Sequence, residues 1–407
     1  MIRSITIEHF KSIERVDLHL TPITVLVGQN GCGKSNILDA IRFLKDAVSY
    51  DLDRAVSDRH GIDSIRQWSR FKPYYVTITA NIEYGLGSGR FSLTLSSVKG
   101  NYKIIKEEAV WQDTIQESHF EKTGEGKRPR YVQRDVYRHI SYERNMDGKV
   151  QITDYRDQKS ETTDFEVEAK DSLFLDEIDS GVHRLSRRHT GLSQLRRAIS
   201  SFEAYSIYPN TLRQPQTPSN DTRLGPTGSN LTSVFKLMTR SKSGSDARAE
   251  IINALRFIMP QLDTLTIQSI GGLMVPIFRV NEEDGRTHTF NVSQISDGTL
   301  RVFGLLTALY QLNKPAVIGL EEPEQTINPG ILTVIADAIK EVSSSSQIII
   351  TTHSPNFVDQ FTPEQIRAVE MKNGATKAGQ VNNAQFDAVK TKLFSLGELM
   401  TVEGLSS

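Results

Sequence analysis

The chain has 407 residues, enough for two or three domains, and its 38% apolar and 24% charged residues are those of an ordinary soluble protein. Its 48 Lys and Arg nearly balance its 49 Asp and Glu, which argues against a protein held to nucleic acid by overall charge. No apolar run reaches the roughly 18 residues of a membrane span, a single cysteine excludes an intramolecular disulfide, and the N-terminus has no signal-peptide core. We therefore expect a soluble, cytoplasmic protein without membrane partners.

The N-terminal residues predict the opening of an α/β domain. Alternating apolar residues indicate strands at the start of the chain, and the unbroken run Ile23–Val27 is typical of a central strand buried on both faces. A glycine-rich turn follows, and then Ile37, Ile41, Leu44 and Val48 recur at helical spacing. Strand, loop and helix in this order are the beginning of an α/β fold.

The middle of the chain has a different pattern. Short alternating segments between 74 and 155 predict an antiparallel meander. Residues 170–204 look helical and are rich in arginine, and a Pro-, Gly- and Ser-rich connection follows at 212–230. Two helical patterns over 230–260 and alternating strands through Phe290 come next, and from Ser296 to Thr362 the order helix, buried strand, helix, buried strand returns.

These patterns predict an α/β fold whose core is split by an insertion. We expect the N-terminal part of the core at residues 1–73, a β-meander and helical insertion at 74–230, and the C-terminal part of the core at 231–407. No long heptad pattern runs through the insertion, so long coiled-coil arms are not expected.

The glycine-rich turn after Ile23–Val27 reads "GQNGCGKSN" and matches G-x-x-x-x-G-K-[ST]. Its glycines let backbone N–H groups converge on phosphate oxygens, Lys34 supplies a cation for the β- and γ-phosphates, and the Ser35 hydroxyl is placed for Mg²⁺. The helix that begins here directs its positive end at the same anion. The candidate nucleotide-binding residues are Gly28, Gln29, Asn30, Gly31, Cys32, Gly33, Lys34, Ser35 and Asn36.

Cys32, within this loop, has two interpretations. A helix N-terminus lowers a thiol pKa, which would suit a redox switch. We favour the second, that Cys32 is a small residue in a tight turn.

Two adjacent glutamates end the apolar run in "KPAVIGLEEPEQTINPGIL". In P-loop proteins a carboxylate at the end of a neighbouring buried strand holds Mg²⁺. We assign Glu321 to that role together with Ser35, and Glu322 to the general base that accepts the proton of the attacking water. The alternative is that Glu322 and Glu324 pair with surface arginines.

Two further segments belong with the phosphate loop. "SDGTL" places Ser296, Asp297 and Gly298 at a helix N-terminus that can bind a γ-phosphate, but one chain cannot easily present it to its own loop. "TTHSP" ends a buried strand at His353, where a histidine can touch the γ-phosphate. The alternative for His353 is packing or a solvent contact.

Taken together, "GQNGCGKS", "SDGTL", "IGLEEPE" and "TTHSP", in this order, resemble the ABC-type P-loop ATPase heads of the SMC/RecF/OLD group. "FKSI" near the N-terminus fits the same group. The chain is most similar to prokaryotic OLD-like AAA-family ATPases that lack a fused Toprim nuclease. "YSIYPNTLRQPQ", "GPTGSNLTSVF" and "LGELMTVEGL" are similar to landmarks of that family, so the resemblance covers nearly the whole chain.

The resemblance implies a Mg²⁺-dependent ATPase that forms a homodimer, or a higher oligomer built from it. ATP would lie between the phosphate loop of one head and the Ser296–Gly298 segment of the other. Glu322 would be the general base and His353 would stabilise the γ-phosphate. Hydrolysis would remove the anion that joins the heads, so that nucleotide would control their engagement.

The chain departs from the family pattern in two places. Related heads often have His before the proline that follows "EEPE", whereas this chain has Asn328, which we interpret as tuning of a dimer-facing loop. The glutamine that senses Mg²⁺ is not placed by the sequence, although Gln67 lies at a tolerable distance from Lys34 along the chain. No Toprim-like acidic cluster follows the ATPase motifs, so a built-in nuclease is not expected.

Three functions remain open at this point. The first is a regulatory ATPase that scaffolds a separately encoded effector, such as a nuclease or toxin, in antiviral defence. The second is a RecF-like repair clamp, for which DNA would contact the basic clusters "GVHRLSRRHTGLSQLRRA" and "GKRPRY". A transporter ATPase is the weakest, because "SDGTL" stands where a transporter signature is expected.

Overall fold

The structure is a computed structural model that describes residues 1–68, 74–98, 100–121, 130–156, 159–166, 173–177, 190–282 and 285–407. These residues fold as two compact units. The first comprises Met1–Leu20, Asp39–Ser201 and Gly374–Thr376, and the second comprises Thr21–Leu38, Phe202–Asn373 and Lys377–Ser407.

The strands follow the apolar runs and the alternating segments of the sequence. In chain order they are β1 (Ile2–Phe10), β2 (Ile13–His19), β3 (Ile23–Val27), β4 (Val76–Tyr84), β5 (Gly87–Val98), β6 (Asn101–Glu121), β7 (Arg130–Asn145), β8 (Lys149–Arg156), β9 (Lys159–Glu166), β10 (Phe202–Tyr205), β11 (Leu262–Ile270), β12 (Leu273–Asn281), β13 (Thr287–Asn291), β14 (Val317–Glu321), β15 (Gln347–Thr352), β16 (Ile366–Lys372) and β17 (Ala375–Gln380).

The helices vary more in length. They are α1 (Lys34–Ser49), α2 (Leu52–Ser57), α3 (Ile62–Ile65), α4 (Phe174–Glu177), α5 (Thr190–Ser200), α6 (Pro209–Arg213), α7 (Leu231–Leu237), α8 (Lys242–Ile258), α9 (Asp297–Tyr310), α10 (Leu332–Val342), α11 (Pro355–Val358), α12 (Asn383–Lys390) and α13 (Leu396–Val402). No helix of the described ranges is long and apolar enough to cross a membrane.

The second unit is built on a parallel sheet with the strand order β10, β14, β15, β3, β16. Every residue of β3, β10 and β15 is buried, as expected for strands covered on both faces. Glu321 lies in register with Thr351, and Thr352 with Val27. Because parallel strands end at the same edge, the residues that follow β3, β14 and β15 meet there.

The core of the second unit surrounds α9, which is buried from Thr299 to Leu309. Its cluster takes alternate residues from the parallel strands, such as Val25, Ile318 and Ile350, and adds apolar residues of α7, α8 and α10. Burying one such side chain stabilises the fold by about 1.5–3 kcal/mol. The sheet edge is therefore supported by a packed helix layer, while β11, β12 and β13 form a separate antiparallel sheet.

The first unit carries the antiparallel meander. Its strands are ordered β2, β1, β4, β5, β6, β7, β8, β9, and β6 and β7 pair from Lys106–Asn145 to Glu121–Arg130. Trp111 on β6 is fully buried, and α5 packs against the sheet through contacts such as Gly191 with Trp111. The predicted α/β grammar and the predicted meander are both confirmed.

One part of the secondary-structure prediction was wrong. Residues 170–204 were expected to be helical, and α4 and α5 lie there, but Phe202–Tyr205 is strand β10, which pairs in parallel with β14. The predicted segment 74–230 consequently does not coincide with a folding unit, since residues 202–230 belong to the unit of the parallel sheet. A strand of only four residues carries too little alternation to be distinguished from a helical turn.

Candidate active site

The phosphate loop joins β3 to α1 and has the shape of an anion cradle. Gly31 and Gly33 adopt positive φ angles of 78° and 104°, which side-chain-bearing residues rarely adopt. The Lys34 side chain is 5% exposed, and its ammonium donates hydrogen bonds to the carbonyls of Gly28 at 2.8 Å and Gln29 at 3.1 Å. The cation is thus held at the concave side of the loop, where the N-terminal amides of α1 add positive potential.

The remaining loop residues are open to a ligand. Gln29, Asn30, Gly31 and Ser35 are exposed, whereas Cys32 is buried. Burial raises the pKa of the Cys32 thiol, so that the thiol stays protonated, which is the opposite of what a redox switch requires.

The two glutamates at the end of β14 contact different partners. Glu321 accepts a hydrogen bond from the Ser206 hydroxyl at 2.7 Å through its Oε2. Glu322 accepts one from Nδ1 of His353, and its Oε1 lies 3.6 Å from the ammonium of Lys34. Glu322 therefore stands between a cation of the phosphate loop and the histidine that follows β15.

The backbone of Glu322 is constrained on both sides. Its φ is 43°, in the left-handed region that is unfavourable for a non-glycine residue. Its N–H donates to the carbonyl of Thr351 at 2.9 Å, and its own carbonyl accepts from Nη2 of Arg301 at 2.7 Å. Arg301 is 2% exposed and comes from α9, so the helix that begins with the "SDGTL" segment fixes the chain at the candidate base.

Glu324 is a third carboxylate at this edge, and it is buried. Its Oε1 accepts hydrogen bonds from the Thr352 hydroxyl and, at 3.2 Å, from the backbone N–H of His353. Burial raises the pKa of Glu324 to about 7. Among the described residues neither Glu322 nor Glu324 forms the ion pair with a surface arginine that the alternative interpretation expected.

The oxygen donors at the edge suit a hard divalent cation. Ser35 and Glu321 offer a hydroxyl and a carboxylate, which are ligands that Mg²⁺ accepts beside phosphate oxygens. Atoms of Glu322, Glu324 and His353 also lie within 4.8 Å of one another, but they are engaged in the hydrogen bonds given above. The exposed Ser35, the concave loop and the buried Lys34 together fit a magnesium nucleotide.

The "SDGTL" residues lie at the N-terminus of α9. Ser296 caps the helix by accepting from the Thr299 N–H at 3.2 Å, and Asp297 forms an ion pair with Arg213. A Cβ on Gly298 would lie 2.9 Å from the Thr326 carbonyl, so only glycine fits this approach. Ser296 and Asp297 are exposed and point no hydrogen bond at the phosphate loop among the described contacts.

Gln67 and Asn328 both make local contacts in the structure. Gln67 bonds His9 Nδ1 at 3.1 Å through its side-chain oxygen, which gives it a local role in the first unit. Asn328 caps a short 3₁₀ turn by accepting from the Gly330 N–H at 2.9 Å. Of the basic clusters, Arg184, Arg187, Arg188 and residues 122–129 lie outside the described residues, while Arg196 and Arg197 lie on α5.

The sequence missed three residues that the fold brings to this edge: Ser206, Arg301 and Glu324. Ser206 follows β10, whose residues the sequence predicts as helix. A helix at this place gives no reason to expect that Ser206 lies beside Glu321 at the end of β14. Arg301 lies among the apolar residues of α9. Because an arginine is rarely buried without a partner, its place in an apolar helix indicates a specific polar contact.

The second unit combines its sheet order with a phosphate loop, and a glutamate pair and a histidine lie at the same sheet edge. Together these features define a P-loop ATPase with an ABC-type head fold. Residues 1–358 match the family described as AAA ATPase domain, and the chain belongs to that family. The protein is therefore an ATPase of this family.

Comparison with one solved structure supports the fold. An SMC head, in a structure described as bound to the C-winged helix domain of ScpA, superposes with a TM-score of 0.50 at 16% identity, over 96% of this chain and 99% of that one. The SMC head domain from Thermotoga maritima gives a TM-score of 0.42 at 13% identity, over 94% and 99% of the two chains. At 16% identity the likeness to the first of these structures concerns the fold alone.

One curated relative matches a short part of the chain. An OLD nuclease from Thermus scotoductus is 33% identical over 70 residues, which are 14% of this chain and 13% of that protein. The chain thus matches only a small part of that nuclease, and the match supports an OLD-like ATPase.

Proposed function

We propose that the protein is a Mg²⁺-dependent ATPase head that closes around ATP as a homodimer and thereby controls a separately encoded effector in prokaryotic antiviral defence. The observation that carries the ATPase part is the position of Glu322, between the ammonium of Lys34 at 3.6 Å and Nδ1 of His353. A carboxylate in this place is close to the phosphate loop and can take a proton from a water molecule.

Each residue has a role in this proposal. Bound magnesium ATP supplies the γ-phosphorus that water attacks, with cleavage of the bond to the β-phosphate oxygen and release of ADP and phosphate. Glu322 orients the water and accepts its proton, Lys34 binds the β- and γ-phosphate oxygens, and His353 contacts the γ-phosphate. Ser35 and Glu321 hold the metal ion, and Gly28–Asn36 surround the phosphates.

Dimerisation is proposed from the second half of the site. Ser296 and Asp297 are exposed at the N-terminus of α9, where backbone N–H groups and the helix dipole favour an anion. Among the described residues their side chains contact Thr299 and Arg213, so a nucleotide on another copy can complete the site. Arg301 joins the same helix to the Glu322 carbonyl, which links partner binding to the base.

The effector role is proposed by analogy with a family. It rests on the resemblance to OLD-like ATPases and on the short match to an OLD nuclease. It follows from the proposed dimer, since a head that opens and closes with nucleotide can present or withdraw a surface for another protein. DNA is the competing ligand, through the basic clusters of the sequence.

The test uses Glu322→Gln, which keeps the shape of the side chain and removes the base. We expect this variant to bind ATP with Mg²⁺, to form a stable dimer by light scattering, and to hydrolyse ATP about 10²–10⁴-fold more slowly than the parent. Lys34→Ala is the matched control that should remain monomeric with ATP. Parental turnover in Glu322→Gln would contradict the assignment of the base.

The same preparation identifies the ligand of the closed state. Tagged Glu322→Gln, expressed from its native gene neighbourhood and purified with ATP and Mg²⁺, should retain a stoichiometric neighbouring protein that Lys34→Ala does not retain. Nuclease-sensitive duplex DNA in place of a protein would contradict the effector proposal and favour a DNA clamp.

A further inference from the structure

The short segment that presents His353 is fastened by one buried carboxylate. Glu324 is 7% exposed, and its Oε1 accepts from the Thr352 hydroxyl and from the His353 N–H at 3.2 Å. The Thr352 oxygen in turn accepts from the Ser354 N–H at 3.0 Å. Three consecutive residues are thereby tied to Glu324, at the point where β15 ends and the chain turns into α11.

The same carboxylate lies close to the imidazole. Nδ1 of His353 bonds Oε2 of Glu322 and is 3.8 Å from Oε1 of Glu324. Since a carboxylate only accepts, Nδ1 carries the proton in this arrangement, and Nε2 is the nitrogen left for a ligand. The His353 side chain is 40% exposed, so its outer edge is accessible.

Glu322 and Glu324 hold His353 by different atoms, since Glu322 accepts from Nδ1 of the ring and Glu324 accepts from the backbone N–H. A neutral carboxyl accepts more weakly than a carboxylate, so the bond from the ring to Glu322 weakens when Glu322, as general base, gains a proton. Glu324 is away from water, and both its ionised and its neutral form keep an oxygen that accepts from Thr352 and from the His353 N–H. This buried acceptor therefore keeps the backbone that carries the ring in place while Glu322 changes its protonation.

We propose that Glu324 is a positioning residue that acts through His353: it fixes the Thr352–Ser354 turn so that Nε2 of His353 stays directed at the γ-phosphate while Glu322 takes the proton of water. This inference rests on the proposed roles of Glu322 and His353. Hydrogen-bonding groups behind a functional histidine fix its orientation in the same way at metal sites.

If Glu324 had a purely structural role, its removal would have different effects. A buried glutamate that only stabilises the sheet edge would, when removed, lower the melting temperature and weaken ATP binding, whatever residue stands at position 353. A positioning residue instead lowers kcat and leaves KM for ATP in place, and its effect disappears once the histidine is gone.

The experiment is a double-mutant cycle with Glu324→Ala and His353→Ala, measured as steady-state ATP hydrolysis with Mg²⁺ and as ATP binding. We expect Glu324→Ala to lower kcat about 10–100-fold at nearly constant KM, as for other groups that orient a functional histidine. In the His353→Ala background the same change should have little further effect. Equal effects of Glu324→Ala in both backgrounds would overturn the proposal.

Two further variants keep the test informative if Glu324→Ala folds poorly. Glu324→Gln retains an oxygen that can accept from Thr352 and the His353 N–H, and we expect it to recover most of the parental kcat. Thr352→Val removes the hydroxyl that joins Glu324 to Ser354, and should lower kcat without a change in KM. A Glu324→Gln variant as slow as His353→Ala would count against positioning by hydrogen bonds.

The controls separate this inference from the proposed function. Glu341→Ala removes a surface glutamate of α10 that bonds the Tyr310 hydroxyl, and should leave kcat unchanged. The parental rate with and without EDTA reports on Mg²⁺-dependent hydrolysis itself. A parental protein without Mg²⁺-dependent hydrolysis would overturn both the proposed function and the role of Glu324. A normal parental rate with an additive cycle overturns only the role of Glu324.

Discussion

Buried carboxylates occur in both units, but they are satisfied to different degrees. In the meander of the first unit, Asp113 accepts from two nitrogens of Arg138 and, at 3.0 Å, from the Trp111 indole, and both charged side chains are at most 5% exposed. In the second unit, Oε2 of the buried Glu324 has no hydrogen-bond partner among the described residues, and Glu322 faces Lys34 across 3.6 Å.

The difference distinguishes structural charges from functional ones. Glu107 in the meander accepts from the Tyr142 hydroxyl and from the N–H groups of Phe174 and Leu175, so its whole carboxylate is used to hold α4. A satisfied carboxylate of this kind leaves no capacity for a ligand. At the end of β14, by contrast, Oε2 of Glu324 is left without a partner among the described residues, and Glu322 faces the ammonium of Lys34, as in a site that binds a ligand.

The largest effect is expected at the cation of the second unit. Lys34→Ala should weaken ATP binding by about a hundredfold or more, because a buried charge-assisted contact to phosphate is lost. Titration calorimetry with ATP and Mg²⁺ measures the affinity. Lys340→Ala, at an exposed lysine 3.8 Å from Asp337, is the matched control and should bind ATP as the parent does. Retained affinity in Lys34→Ala would contradict the phosphate-loop assignment.

The second prediction concerns a satisfied pair in the meander. Asp113→Ala leaves the guanidinium of Arg138 buried without its carboxylate, and should lower the free energy of unfolding of this unit by about 3–5 kcal/mol. Denaturant titration by tryptophan fluorescence and circular dichroism measures the loss.

The control for this prediction is another aspartate of the same sheet. Asp164→Ala removes an exposed acceptor of the Gln151 amide and should change stability by less than about 0.5 kcal/mol. If the two variants were equally stable, the contrast between satisfied and unsatisfied carboxylates would not hold.

The third prediction uses the pH dependence of Glu324. Burial raises its pKa from 4.5 to about 7, so the folded protein binds more protons than the unfolded chain between these values. Stability should therefore fall as pH rises through this range, by an amount on the order of 3 kcal/mol. Glu324→Gln cannot ionise and should lack this fall, which unfolding titrations at pH 5, 6, 7 and 8 measure against the parent.

A control fixes the interpretation of that curve. Glu341→Gln removes a surface carboxylate and should keep the parental pH dependence. A Glu324→Gln curve parallel to the parent would show that another group titrates in this range.

Sequence patterns predicted the parts of the site that are local. The phosphate loop is contiguous, and the buried strands before Glu321 and His353 are unbroken apolar runs, so residue order alone gives their place at one sheet edge. The strand β10 was not predicted, because FEAY is too short for a periodic signal and its strand character comes from pairing with β14.

The supporting residues could not be predicted for a related reason. Arg301 contacts the Glu322 carbonyl across 21 positions, and Glu324 contacts Thr352 across 28. Such contacts depend on how α9 and β15 pack beside β14, which no spacing in the sequence encodes. Glu324 belongs to the motif "IGLEEPE", but the sequence does not show whether its side chain is buried or solvated. Only the fold shows that it is buried.

The last prediction follows from the strand that the sequence missed. Ser206 comes directly after β10, and its hydroxyl donates to Oε2 of Glu321 at 2.7 Å. This hydrogen bond fixes the orientation of the Glu321 carboxylate, the proposed magnesium ligand. Ser206→Ala should raise the Mg²⁺ concentration for half-maximal hydrolysis about fivefold, which corresponds to the loss of one hydrogen bond of about 1 kcal/mol.

The conservative variant decides between orientation and packing. Ser206→Thr keeps the hydroxyl and should retain the parental Mg²⁺ dependence, while Ser206→Ala should keep the parental melting temperature. An unchanged Mg²⁺ requirement in Ser206→Ala would mean that the Ser206 hydroxyl does not orient Glu321. The smallest of the four effects thus tests whether the carboxylate of Glu321 at the sheet edge needs support from the residue that follows β10.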